Sequence, residues 1–409
     1  MASIAVTDAP AKSRTKRSLW WRVHQWAGLQ LSLVLTLILA TGTLATLSHE
    51  IDWLLTPAMR VTPRDGPLVS WGALGRSAQL HAGNARVEWL HGPSDPWFAA
   101  EAIVQRPNGD RFRVQLDPWT GEARGITPWF NTQRLFRELH RNLMLPTAIG
   151  VPIVTVLAFP LLASVVTALW VYKKWWRGFF RMPRRRKDRR NDGRRFTGDL
   201  HRFVGLWSLW FVALISVTGV WYFAEKMGAA APVPRPPGAL APAQASGRHL
   251  DDLVAKARKS FPDLRITSIG FPSGNPGGIV IMGQAEAMLV RERANAVMLD
   301  PDSQTIIKVV RGEQLSLHQR ISEAADPLHF GTWGGLSIRI LWFFCGAALT
   351  GLAVTGVLIH ALRLQQEAAA RKSGGILAAI WGGMGIMAWP SLVSLILAFA
   401  LIPTKLAGG

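Results

Sequence analysis

The hydrophobic positions of this chain are gathered into blocks. Five stretches carry no charged residue: Val23–Ser48, Leu143–Tyr172, Phe203–Ala224, Ile340–Leu362 and Gly375–Thr404. Crossing ~30 Å of hydrocarbon at ~1.5 Å per residue takes about 20 apolar residues in a helix, so each block predicts a membrane span. Between the blocks the pattern shifts to alternating apolar and polar positions, as at Arg111–Leu116 and Ala296–Leu299, which is the mark of a half-buried strand. Asp117-Pro118 and Asp300-Pro301 supply turn chemistry beside those strands, and Ser70–His81 and Leu250–Phe261 read as short amphipathic helices. The expected fold is an α-helical integral membrane protein of five transmembrane helices with two small α+β domains, at residues 49–142 and 225–335. A Pro/Ala/Gly-rich stretch, Gly228–Gly247, reads as a linker. The first apolar run is longer than a signal-peptide core and shows no small-residue cleavage site near Leu47–Glu50, so it is expected to be a retained anchor.

Charge sets the expected orientation. The formal net charge is +20, and twelve Lys/Arg against two acidic residues fall between Lys173 and Arg195. Lys12, Arg14, Lys16, Arg17 and Arg22 precede the first span. Basic residues flanking spans are retained on the cytoplasmic side and meet anionic headgroups, so the charge points to membrane lipid and not to nucleic acid. Residues 1–22, 173–200 and 363–374 are then cytoplasmic, the spans are 23–48, 143–172, 201–224, 336–362 and 375–404, and both α+β domains lie outside. For a bacterial inner membrane, outside means the periplasm.

The chain also repeats, with a period near 180 residues. His24-Gln25-Trp26-Ala27-Gly28-Leu29 opens the first span and His201-Arg202-Phe203-Val204-Gly205-Leu206 opens the third. In both, Gly follows His by four residues and a Thr, Thr41 or Thr218, follows by seventeen. Asp117-Pro118-Trp119-Thr120-Gly121 answers to Asp300-Pro301-Asp302-Ser303-Gln304, and Leu139-His140-Arg141 to Leu328-His329-Phe330. Thr167 and Thr355 follow His140 and His329 by 27 and 26 residues. Both halves run span, domain, His, span in one orientation, so the repeat is parallel; the fifth span has no counterpart.

A histidine at a span boundary is ordinarily a polar anchor. Here His24 and His201 share one position in the repeat and His140 and His329 share another, which places two pairs at two depths. Two axial imidazoles from facing helices suit a b-type haem, so the expected cofactor is two haems, with His24, His201, His140 and His329 as cofactor-binding and metal-ligating residues. No Cys-x-x-Cys-His motif is present, and the single Cys345 excludes a Cys-based metal cluster. Carboxylates and thiolates that complete zinc or copper sites are missing around these positions. Gly28, Gly205, Gly42, Gly219 and Gly356 would admit a flat macrocycle, though close helix packing explains glycines equally well. His49 and His360 have no partner in the repeat, Tyr172 standing opposite His360, and are held as reserve ligands. His81, His91, His249 and His318 read as surface residues. Many of the nineteen tryptophans sit near span ends, as interfacial belts do. No Walker, Rossmann or triad pattern supplies a flavin or nicotinamide domain within the chain.

The motifs around His24, Thr41-Gly42, Glu50-Ile51-Asp52, Asp117–Glu122, Leu139–Arg141, Asp199–Arg202, Thr218-Gly219 and Leu328–Gly331 resemble the PepSY-associated transmembrane family over about residues 15–365. The resemblance implies an inner-membrane siderophore reductase: His24 and His201 hold a cytoplasmic haem, His140 and His329 a periplasmic one, and electrons pass from an unidentified cytoplasmic donor to a ferric siderophore, releasing iron(II). Catalysis then asks for no acid–base residue. Arg111, Arg113 or Arg137 are candidates for attracting an anionic chelate. The sequence departs from the family's pattern at Gln25, where a basic residue is common, and at Asp302–Thr305, where a Thr-Gly turn is usual. Two other functions stay open. One is a transporter of iron or siderophore, although no charged residue lies deep in a span as a coupling site requires. The other is a non-enzymatic PepSY protein that binds or regulates a peptidase, which leaves the matched histidines without a role.

Overall fold

A computed structural model describes residues 19–185, 193–234, 245, 249–272, 278–369 and 375–407. Lys12, Arg14, Lys16, Arg17, the middle of the basic segment and most of the Gly228–Gly247 linker lie outside the described residues. The chain opens with helices α1 (Leu19–Leu29), α2 (Ser32–Thr46) and α3 (Ser48–Leu55), then α4 (Trp71–Ala82). Four strands follow: β1 (Arg86–His91), β2 (Ala100–Gln105), β3 (Arg111–Leu116) and β4 (Ala123–Pro128). Next come α5 (Thr132–Asn142), α6 (Thr147–Thr155) and α7 (Ala158–Val171), then α8 (Gly193–Trp207), α9 (Leu209–Ala224) and α10 (Leu250–Ser260). Strands β5 (Arg265–Gly270), β6 (Ile279–Gln284), β7 (Ala296–Leu299) and β8 (Ile306–Val310) precede α11 (Leu317–Phe330), α12 (Gly335–Ala369), α13 (Ile376–Met384), α14 (Ala388–Ala400) and α15 (Ile402–Ala407).

Among the described residues three helical segments are long and apolar enough to cross a membrane: Thr147–Val171, Thr332–Arg363 and Ile376–Leu406. The count reaches five if each of two bent pairs is one span, α1 with α2 at 65° and α8 with the helix from Leu209 at 67°. The first and third hydrophobic blocks, expected as single rods, are therefore broken. The breaks fall seven residues after His24 and seven after His201, at Leu31 (φ −106°, ψ 15°) and Ser208 (φ −90°, ψ −2°). No proline lies at either break. Both residues sit near the bridge region of backbone space, which turns the chain and interrupts the helical ladder. Each bend swings its histidine-bearing arm out of line with the apolar helix after it.

The eight strands form one antiparallel sheet in the order β4-β3-β2-β1-β5-β6-β7-β8. Each half thus contributes a four-stranded meander, and the halves meet where Trp89, Leu90 and His91 of β1 pair with Gly270, Ile269 and Ser268 of β5. Side chains alternate across the pleat. Leu90, Ala102, Val104, Val114, Leu116, Ile269, Ile281, Val297 and Leu299 form the apolar face, covered by Leu74 and Ala78 of α4 and by Leu250, Leu253 and Ala257 of α10. Asp251 of α10 ties the two covering helices, accepting from Ser70 Oγ at 2.8 Å and from the Gly72 N–H at 2.7 Å. The opposite face is polar: Gln115, Glu101, His91 and Ser268 are cross-strand neighbours in adjoining strands.

Both Asp-Pro turns form. Asp117 Oδ1 accepts from the N–H groups of Trp119 and Thr120, and Asp300 Oδ1 from those of Asp302 and Ser303. Gly121 takes φ +76° in the first, and Gln304 takes φ +53° at the matching place in the second. The second turn therefore keeps its shape without glycine, at the steric cost of a left-handed non-glycine residue.

Candidate functional site

The side chains that merit scrutiny sit at the two ends of the helical bundle. At the end nearer the sheet, α5 packs on α2 and α11 packs on α9. Helix α5 starts where it does because the buried Asp52 of α3 accepts from the N–H groups of Thr132 and Gln133, both at 2.9 Å, while Asn131 caps Arg134 N–H at 3.0 Å. A carboxylate there satisfies orphan donors and opposes the helix dipole. Helix α11 opens with a capping box between Ser316 and Gln319. These anchors bring His140 and His329 together with ring centroids 6.1 Å apart and planes at 42°.

Each imidazole is held by Nδ1. His140 Nδ1 donates to the Ile38 carbonyl at 2.7 Å, and its ring fills the space beside Gly42, where a Cβ would lie 2.6 Å from the imidazole. His329 Nδ1 meets Thr218 Oγ1 at 2.8 Å, and its ring stands edge-on to Tyr222 at 5.3 Å. Burial pushes both imidazoles down from their ordinary pKa, His329 to about 3, so both are neutral and each has one nitrogen with a lone pair.

At the far end of the bundle α1 packs on α7 and α8 on α12. His24 Nδ1 lies 3.1 Å from the Ser164 carbonyl and 3.2 Å from Thr167 Oγ1. His201 Nδ1 lies 2.9 Å from Thr355 Oγ1, and His24 is near enough to act on it electrostatically. The threonine hydroxyl protons are committed: Thr167, Thr355 and Thr218 donate to the carbonyls of Ala163, Gly351 and Leu214 at 2.6, 2.7 and 2.8 Å. With those protons directed into the helices, the oxygens accept and the ring proton is assigned to Nδ1. All four histidines are engaged through Nδ1, His24 and His140 on a carbonyl and His201 and His329 on a threonine hydroxyl, which leaves Nε2 unprotonated in the assigned tautomer. That is the form in which imidazole ligates a metal through Nε2.

The residues fit a b-type haem. With metal–imidazole bonds of about 2.0 Å, two axial rings lie roughly 6 Å apart centre to centre, which is the separation of His140 and His329. No group of three or more His, Cys, Asp or Glu is placed to hold a bare metal ion among the described residues. A metal held by two imidazoles here must bring its other ligands with it, as a macrocycle does. Gly28 has open space where a Cβ would stand, and Gly205 and Gly356 make only ordinary contacts, Gly356 with His201 at 3.5 Å. Gly42 and Gly219 serve differently: the first admits the His140 ring, the second admits Ala158.

Other expected residues fall elsewhere. His49 stacks on Phe98 at 4.5 Å, its buried Nδ1 without a hydrogen bond, and no second histidine faces it. His360 Nδ1 accepts from Gln25 Nε2 at 2.7 Å, the reverse of the paired histidines, and its ring packs by Gly383 of α13. Gln25 thus has a structural task in the seam between α1, α12 and α13. His81, His249 and His318 are exposed, but His91 is not a surface residue. It lies in the middle of the joined sheet between Glu101 and Ser268, and burial pushes its pKa down. Arg113 is likewise no bait for a chelate: it is buried, paired with Glu101 at 3.3 Å, stacked over Trp129 at 4.6 Å, and bonded to the Pro128 and Trp129 carbonyls. Arg111 is paired with Glu88 at 2.7 Å. Arg137 is exposed on α5, three residues before His140.

The sequence reading passed over Asp52 as a helix cap, although it stands in the Glu50-Ile51-Asp52 motif. It also missed the chain Tyr222–Asp326–Arg291 above His329, linked at 2.8 and 3.1 Å. No curated protein matches this chain. Residues 21–363 match the family described as the PepSY-associated TM region, and the chain, a membrane protein of several apolar helices joined to an antiparallel sheet, belongs to that family.

Proposed function

We propose that this protein is an inner-membrane ferric-siderophore reductase that holds two b-type haems. His140 and His329 hold the haem nearer the sheet, and His24 and His201 hold the other. In this reading each bent pair is one span, giving five, and the halves form a parallel repeat. The basic segments face the cytoplasm and the sheet stands in the periplasm, an orientation that the charge distribution supports. The observation that carries the reading is the common contact: four histidines, two at each end of the bundle, each held through Nδ1.

Bound haem would supply one-electron redox chemistry at each pair. The chain's own work is to fix the imidazoles. The Thr and carbonyl acceptors hold each ring plane and raise the electron density at Nε2. Helices α2, α5, α9 and α11 position the sheet-side pair, which would hold the haem there. An external iron(III) chelate gains one electron and becomes iron(II), which hard oxygen donors hold far less tightly; a cytoplasmic reductant supplies the electron.

The test is electron delivery across a bilayer. Protein in liposomes loaded with a membrane-impermeant reductant, with a ferric hydroxamate and an iron(II)-trapping chelator outside, is expected to colour the trap at a rate protein-free liposomes do not reach. His329→Ala is expected to abolish this rate. Equal rates with and without protein would contradict the reading.

A further inference from the structure

His140 and His329 face one another but are not held alike. The second half of the chain uses a side chain where the first half uses the backbone. Thr41 and Thr218 each follow their histidine in the repeat by seventeen residues, and each spends its hydroxyl proton inside its own helix. Thr41 Oγ1 donates to the carbonyls of Leu37 and Ile38 at 2.7 and 3.1 Å; Thr218 Oγ1 donates to those of Leu214 and Ile215 at 2.8 and 3.1 Å. Only Thr218 then meets a histidine. His140 Nδ1 passes Thr41 by and donates to the Ile38 carbonyl, whereas the Thr218 oxygen is the acceptor for His329 Nδ1.

We propose that Thr218 is a positioning residue that fixes the tautomer and raises the basicity of His329, a task Thr41 does not perform for His140. Thr218 is 6% exposed, so water does not stand in for its oxygen. Its hydroxyl is directed to the Leu214 and Ile215 carbonyls, which leaves its oxygen to accept from Nδ1. Tyr222 meets the ring edge-on, and the Tyr222 hydroxyl donates to Asp326 at 2.8 Å while Arg291 holds Asp326 at 3.1 Å. The ring therefore has one orientation, with Nδ1 on Thr218 and Nε2 free. An acceptor on Nδ1–H pushes electron density toward Nε2, which favours the oxidised metal over the reduced one. Without that acceptor, a proton shift to Nε2 blocks ligation, and an unshifted ring is a weaker ligand. Either way the sheet-side site binds its metal less tightly.

This inference rests on the haem reading for its consequences, but its first test does not. Full-length apoprotein with ¹⁵N-labelled histidine reports the tautomer of each ring directly. His329 is expected to carry its proton on Nδ1 in the parent protein and in Thr218→Ser, and to lose that preference in Thr218→Val. Thr41→Val is expected to leave His140 unchanged. Haem titration into the same apoproteins is expected to show about 10–100-fold weaker binding at one of two sites in Thr218→Val only. Redox titration should place that site at higher potential, about 59 mV for each tenfold loss of ferric over ferrous binding. Thr218→Ala replaces the valine variant if the latter does not fold. An unchanged His329 tautomer in both Thr218→Val and Thr218→Ala, or equal effects of Thr218→Val and Thr41→Val, would overturn the assignment. Failure of the parent protein to take up haem while the tautomers behave as expected would instead overturn the function and leave Thr218's role standing.

Discussion

At the residue scale, the four paired histidines are each held through Nδ1 by a partner on another helix. Asp52 shows how far this support reaches. It lies on α3, yet it sets the first turn of α5 and so the angle at which His140 arrives eight residues later. Loss of a helix cap usually costs about 0.5–2 kcal/mol, and here two buried N–H groups would also lose their partner. Asp52→Ala is expected to loosen the sheet-side haem while sparing the far one. Under a thermal ramp followed at the Soret band, one of two haems should leave first; simultaneous loss of both would refute this role. The histidines themselves were legible in the sequence, because their spacing to Gly and Thr is local and occurs twice. Their Nδ1 partners were only partly so. Thr167, Thr355 and Thr218 stand out as matched threonines, but the Ile38 carbonyl is backbone and leaves no mark in the sequence. Arg113 was a candidate for attracting an anionic chelate, and nothing local in the sequence shows that Trp129 and Glu101 close over it.

At the element scale, the apolar blocks located the hydrophobic helices but not their shape. A run of apolar residues measures length, and neither bend contains a proline to betray it, so α1–α2 and α8–α9 read as straight. The sheet tells a similar story. Each half showed its strands by alternation and its turn by Asp-Pro, yet no local signal says that β1 pairs with β5. That pairing makes β1 a central strand, which is why His91 is half-buried when a separate domain would have left it at an edge. Gly270 guards the seam, since a Cβ there would lie 2.6 Å from the Trp89 ring. Gly270→Leu is expected to open β1 from β5, with faster amide exchange at Leu90 and Ile269 and little change at the β2–β3 pairing. Unchanged exchange at the seam would show that the Trp89 ring yields at little cost.

At the scale of the whole molecule, one chain offers a histidine pair at each end of a helical bundle and a broad sheet beyond one of them. Each pair takes one histidine from each half of the chain, so neither half completes a site alone. The sheet likewise needs both halves, through β1 and β5. A tie between Arg339 of α12 and both Glu50 of α3 and Asp95 of the β1–β2 loop, at 2.9 and 3.1 Å, fastens sheet to bundle. The central claim is that each pair holds a haem, and the pyridine haemochrome content of the purified protein, read with dithionite-reduced spectra, tests it most directly. Expressed with ample haem, the protein should be red and contain about two b-type haems per chain, falling to about one in His201→Ala and in His329→Ala. A colourless protein, or full haem content in both variants, would contradict the account.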